Sequence, residues 1–354
     1  MQQSPSCANE KKPGSALALE NGPKAQIKTG HWTAGQKLVL LLALALLLIL
    51  VVASIMVGAG RFSLIDLLLG RGTARDWQLL MVSRIPRTAA IVLSGASMAT
   101  AGLVMQMLVQ NRFVEPSTTG VTESAGLGIL LITIFWPGAP IFLKMCFAVL
   151  FALVGTFLLI ALIRAIPKRD LIIVPLLGMV LAGVIGAAST FLAWEFQLQG
   201  TLAAWTLGDF SGILRGRYEL LYIVAAAAVV TYFFADRFTV AGLGEELSRN
   251  LGLDRNRITW IGLVIVAVVA GITTVVAGSL PFLGLVVPNL VSLFLGDYMR
   301  RALPFVAIGG AVFVLMADLV SRLAIAPAEL PVGVVMGVTG AAVFLIVIWR
   351  ALKR

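Results

Sequence analysis

From Leu38 to Gly60 the chain carries no charged residue, and comparable apolar stretches recur all the way to its C-terminus. About 20 predominantly apolar residues are enough for a helix to cross the hydrocarbon core of a bilayer. No water reaches backbone amides in hydrocarbon, so only helices or closed barrels can span it. Long unbroken apolar runs, rather than alternating ones, select helices. The proportions agree, because hydrophobic residues make up 59% and charged residues 12% of the 354 positions, whereas a soluble domain is about one quarter charged. The chain is therefore read as an all-α polytopic membrane protein with about ten transmembrane helices.

Spans are expected near 38–58, 86–109, 117–136, 141–163, 172–195, 218–235, 258–280, 284–296, 304–325 and 331–349. The stretch 284–296 is short for a full crossing and is expected to be tilted or broken. Residues 1–36 are polar, carry Pro5, Pro13 and Pro23 among four lysines, and have no apolar period. They read as a disordered cytoplasmic tail ahead of a transmembrane domain over 37–354. The first apolar run is too long and too far from the start to be the core of a cleavable signal peptide.

An even number of spans places both termini on one side. Arg164, Lys168 and Arg169, then Arg300 and Arg301, then Arg350, Lys353 and Arg354 fall on that side, and the excess of Lys and Arg makes it cytoplasmic. The net charge of +10 is thus a matter of membrane orientation, and no nucleic-acid partner is expected.

The residues that could do covalent chemistry are scarce. Gly30 to Lys37 loosely resembles a phosphate loop but lacks its Gly-Lys-Ser/Thr ending and follows no strand. His31 is the only histidine, which rules out a multi-histidine metal site and a Ser-His-Asp triad. Cys7 and Cys146 can form neither a disulfide framework nor a thiolate metal site. No metal, no cofactor and no enzymatic activity are expected. Small residues recur on the spans, at Gly95 and Gly102, Gly178 and Gly186, and Gly333 and Gly337, where close backbone approach supplies helix packing.

The most informative polar segment is 236–257, long enough for two short helices hinged at Gly244 or Gly252. Within it, Leu243-Gly244-Glu245-Glu246 followed by Leu251-Gly252 resembles the coupling segment of the iron-siderophore and cobalamin permease family of ABC importers. Further segments are similar in order and spacing: Arg84-Ile85-Pro86-Arg87, Gly102 with Met105-Gln106, Asn111 to Pro116, Gly278 to Pro288, Asp318 with Arg322, and Glu329-Leu330-Pro331-Val332-Gly333. The resemblance covers nearly all of residues 80–350. The chain departs from the family pattern at Pro288-Asn289, where Pro-His is usual, at Gly340-Ala341-Ala342, where Gly-Ala-Pro is usual, and at Arg112-Phe113-Val114, which replaces Pro-Leu-Ala. That last turn, with Ser117 to Gly120, looks more like siderophore than cobalamin members.

The resemblance implies a permease subunit in the cell inner membrane that translocates a ferric siderophore. Its implied partners are an ATP-binding subunit, a periplasmic substrate-binding protein and a second permease subunit, identical or not. Gly244, Glu245, Glu246, Leu251 and Gly252 would couple to the ATPase, and Arg84, Arg87 and Arg322 would receive carboxylates of the binding protein. A plain i, i+4 pair with Asp318 explains Arg322 equally well. If the arginines are exposed, single changes to Ala should show little. Met98, Met105 and Met107 are flexible enough to line a wide pathway, although core packing accounts for them as readily. Glu123 and Glu195 sit at or within spans, and either could simply pair with an arginine. Alternatives are a cobalamin or haem importer permease, or an ion-coupled secondary transporter, which would bind substrate at broken helices near the midplane.

Overall fold

Each expected apolar stretch is helical in the computed structural model, which describes residues 33–58, 73–166, 173–214, 216, 218–296, 298–325 and 328–352. The helices are α1 Ala34–Met56, α2 Ala74–Val109, α3 Val121–Phe135, α4 Ile141–Ala165, α5 Ile173–Glu195 and α6 Gln199–Thr206. They continue with α7 Leu221–Gly242, α8 Glu245–Asn250, α9 Arg255–Ala277, α10 Leu283–Leu295, α11 Met299–Leu323 and α12 Val332–Leu352. Among the described residues there is no strand. Among the described residues, seven helices are long and apolar enough to cross a membrane, while α3, α10 and the apolar part of α12, Val332–Val347, are shorter. Contacts divide the chain into Met1–Val39 and Leu40–Arg354, and all tertiary contacts described below lie within the second unit. The expected tail lies outside the described residues up to residue 32, and Ala34–Gln36 already belong to α1.

α2 begins with a reciprocal cap: the Thr73 hydroxyl accepts the Asp76 amide at 3.4 Å, and the Asp76 carboxylate accepts the Thr73 amide at 2.9 Å. It then passes through one π turn, Leu80–Arg84, immediately before Pro86. Proline has no amide to donate and its ring crowds the preceding turn, and the wider turn accommodates both. The helix continues without interruption to Val109, which gives a rod of 36 residues, about 54 Å long at 1.5 Å per residue.

α2 and α9 form the inside of the bundle. The apolar windows of both are 78% buried, against 22% for α5 and for the α7 segment, whose large side chains such as Val184, Phe191 and Phe233 face outward. Outward apolar side chains suit hydrocarbon or a second subunit. Close packing of α2 depends on absent side chains. A Cβ on Gly102 would lie 2.3 Å from the Gly284 Cα of α10, and one on Gly95 would lie 2.8 Å from the Gly310 carbonyl of α11. Gly178 and Gly333 also sit against neighbouring backbone, whereas Gly186 has no such neighbour and Gly337 meets only Pro281 at 3.9 Å.

The short α3 and α10 follow from irregular backbone between helices. Residues 110–120, ahead of α3, and 278–282, ahead of α10, are irregular and for the most part buried or half-buried. Backbone polar groups at such depth need protein partners. Phe282 N donates to the Glu115 carboxylate at 2.8 Å, Ser279 N to Trp205 O at 2.9 Å, Asp209 N to Ala277 O at 2.9 Å and Gln106 Nε2 to Gly284 O at 3.2 Å. A carboxylate at the start of α10 also complements the positive end of its helix dipole. The stretch expected to be short near 284–296 is short, since α10 runs uninterrupted for 13 residues, Leu283–Leu295.

Candidate functional site

Two groups of residues at opposite ends of α2 stand out. At its N-terminal end, three guanidinium groups converge on α1 and α11. Asp318 of α11 is fully buried, and Arg87 grips it through Nη2 at 2.8 Å and Nε at 3.2 Å. Arg322, one turn along α11, pairs with the other carboxylate oxygen. Arg87 Nη1 also reaches Glu329 at 2.7 Å, whose side chain is 29% exposed. The last carbonyls of α1, which have no partner within the helix, are taken up from both sides. Arg84 donates to Ile55 O and Met56 O at 2.6 and 2.9 Å, and Arg322 donates to Ser54 O and Val57 O at 2.9 and 2.7 Å. Cations at a helix C-terminus also complement its dipole. Ser54 and Thr88 join α1 to α2 through their hydroxyls at 3.0 Å.

The structure therefore brings Arg84, Arg87 and Arg322 together, and it forms the Asp318–Arg322 pair within one turn. It corrects one expectation. The three arginines are only 7–9% exposed, so they are not solvated surface charges. Removing one side of a buried pair strands the other, and single substitutions should be costly.

At the other end of α2, Gln110 Nε2 donates to Gly242 O at 3.1 Å, which ties the rod to the corner where α7 ends. The expected pair of short helices in 236–257 is one helix only, because α7 itself continues to Gly242 and α8 covers Glu245–Asn250. Both proposed hinges are real turns: Gly244 has φ of +113° and Gly252 of +73°, a region that glycine enters without steric cost. Ser248 ties α8 to α7, donating to Gly244 O at 2.6 Å and Val240 O at 3.0 Å, and Asp254 caps α9 through the Arg257 amide at 3.1 Å. Leu243, Leu247 and Leu251, four residues apart, are 58%, 52% and 64% exposed. Leu243 and Leu251 stand in the motif quoted from the sequence, and Leu247 does not. The i, i+4, i+8 leucine spacing was available there, but a leucine row signals docking only once it is seen to have no cover.

Beside this corner, Tyr298 Oη donates to Asp236 at 2.9 Å, a bond that raises the phenol above its ordinary pKa. Met98 and Met105 lie within the core, 2% and 0% exposed. Core packing accounts for them. Met107 is half-buried and lines a cavity of about 400 Å³ between α2, α7, α10 and α11.

Residues 46–350 match the model of the FecCD transport family. The chain belongs to the FecCD transport family. The Petrobactin import system permease protein FatD of Bacillus anthracis is 41% identical over 283 residues, which cover 80% of this chain and 85% of that protein. The Ferric-anguibactin transport system permease protein FatD of Vibrio anguillarum is 36% identical over 286 residues, 81% and 91% of the two chains. Among solved structures, an inward-facing metal-chelate type ABC transporter superposes with a TM-score of 0.75 over 89% of this chain and 99% of its own, at 23% identity, a likeness of fold.

As a FecCD member the chain is a multi-pass membrane transport protein and not an enzyme. Two of the positions that depart from the resembled pattern touch: Asn289 Nδ2 donates to Arg112 O at 2.8 Å. The amide of Asn289 thus holds the very turn that carries the altered residues.

Proposed function

We propose that this chain is the inner-membrane permease subunit of an ABC importer for ferric siderophores. It would work with a second permease subunit, ATP-binding subunits and a periplasmic substrate-binding protein, with both of its termini in the cytoplasm. The named import systems of the relatives support the cargo class. The observation that carries the coupling role is a set of three uncovered leucines at one corner, Leu247 on α8 and Leu243 and Leu251 beside its two ends, where Gly244 and Gly252 turn the chain at positive φ. Such an apolar strip next to arginines 249, 255 and 257 suits a protein partner rather than lipid.

In this reading α2 links the two ends of the molecule. Arg84 and Arg87 stand at one end, where a binding protein would dock, and Gln110 holds the coupling corner at the other. A rigid element with a partner at each end transmits a displacement rather than absorbing it. The arginines can receive a partner's carboxylates by exchanging acceptors, and Glu329, the most exposed acid of the cluster, is the acceptor nearest to hand.

The test is co-purification of the permease with the ATP-binding subunit of its own import system. Replacing Leu247 and Leu251 together with Asp should abolish association while leaving membrane insertion intact. Undiminished association in that variant would remove the leucine row from the interface.

A further inference from the structure

Away from both ends of α2, the helices α3, α5, α6 and α9 surround a cavity of about 200 Å³ whose lining includes Glu123, in the first turn of α3. Among the described residues no Lys or Arg reaches the Glu123 carboxylate, and its side-chain hydrogen-bond partner is the neighbouring Thr122 hydroxyl at 3.1 Å. The anticipated pairing with an arginine is not found there. A carboxylate inside a membrane domain without a counter-ion is costly to keep and is by default a functional group.

Four of the hydroxyls around it share one property. Ser189 donates to Ile185 O at 2.9 Å, Thr190 to Gly186 O at 2.9 Å and Thr274 to Ala270 O at 2.7 Å, while Thr206 donates to Leu202 O at 3.2 Å. Each of these hydroxyl protons is used on its own helix, so what the oxygens retain for a ligand is acceptor capacity. Acceptor oxygens around one carboxylate match a cation that donates hydrogen bonds, and the ring of Trp205, also in the lining, adds a face that attracts cations. Thr190 and Thr206 are exposed, so the cavity opens to the surface of the subunit. Ser189 lies about 24 Å along α5 from Ile173 at 1.5 Å per residue, beyond the middle of that helix.

The geometry points to a cation-binding subsite at Glu123 that receives an ammonium-bearing arm of the transported ligand. The volume admits one such arm, not a whole metal chelate. This deepens the importer reading and rests on it for the identity of the cargo, but the preference for positive charge can be measured without any cargo.

In the first arm of the test, Thr190→Cys is introduced into the assembled importer, in lipid, with Cys7 and Cys146 changed to Ser. Labelling rates are compared for a cationic and an anionic methanethiosulfonate, each relative to its rate with a free thiol in solution. A cavity of one sign concentrates counter-ions by about tenfold or more, so the cationic reagent should be favoured by at least that factor. Glu123→Gln should bring the ratio near one, and Glu123→Asp should keep it. Equal normalised rates with Glu123 in place would overturn the subsite whatever the importer carries.

In the second arm, uptake is compared for a ferric siderophore bearing a primary amine and for its N-acetylated form. Glu123→Gln should reduce uptake of the amine form about tenfold and leave the acetylated form unchanged, an ion-pair preference of about one factor of ten. Equal loss on both forms, or on neither, would overturn the role in cargo recognition. Failure of the unsubstituted importer to take up either form would instead count against the siderophore reading, leaving the labelling ratio as the measure of the subsite.

Discussion

Asp318 holds more of this fold than its single negative charge suggests. Two guanidinium groups meet on it, and through them α2 and α11 are joined to each other and to the end of α1. Arg322→Ala should therefore lower stability by about 3–5 kcal/mol, because Asp318 would keep only one of its two guanidinium partners in a buried place. Thermal unfolding in lipid nanodiscs measures this, and an unchanged midpoint would contradict the buried network. The docking proposal has its own check, made only on variants that still fold. Replacing Arg84, Arg87 and Arg322 with Glu should weaken binding of the binding protein at low salt, and reciprocal Glu-to-Arg changes on that partner should restore part of it. Unaltered affinity at low salt would take these residues out of the docking site. The sequence placed the three arginines at one end of the molecule but not their burial, because an arginine at a helix end reads the same whether it faces water or the carbonyls of another helix.

Among the elements, the coupling corner is the most exacting in its geometry. Gly252 has φ of +73°, which proline, fixed near −65°, cannot adopt. Gly252→Pro, or a reversed charge at Glu246, should uncouple ATP hydrolysis from transport while the protein remains inserted. Normal ATPase association together with normal iron uptake in both variants would refute the coupling role. Helix positions were legible because apolar runs have a fixed minimum length in a bilayer. The late start of α3 was not legible, since Ser117, Thr118, Thr119 and Gly120 are small and uncharged and so read as the edge of a span, yet the Thr119 hydroxyl donates to Glu115 O within the turn and Gly120 takes φ of +81°. Helix α6 was missed because its eight residues, Gln199–Thr206, are too few for a periodic signal to stand out. The methionines of α2 could not be sorted into core and pathway from sequence, because a helix that is apolar all round shows no face.

On the scale of the whole molecule, orientation follows from charge. Under the proposed orientation, with the positively charged connections in the cytoplasm, tags placed after Arg354 and within 164–170 should be shielded from an impermeant reagent in intact cells. Labelling at either place would reject that orientation. The family and the membrane fold were readable from long-range order among short motifs, whereas the acceptor-lined cavity at Glu123 was not, because its walls come from four helices spread over residues 121 to 277. The most direct measurement is uptake of radioactive iron, presented as a ferric siderophore with its binding protein, into proteoliposomes holding the permease and its ATP-binding subunit. Accumulation should require both ATP and the binding protein and should vanish when the Leu247 and Leu251 positions carry Asp. Accumulation that proceeds without ATP, driven by an ion gradient alone, would contradict an ABC importer and favour a secondary transporter.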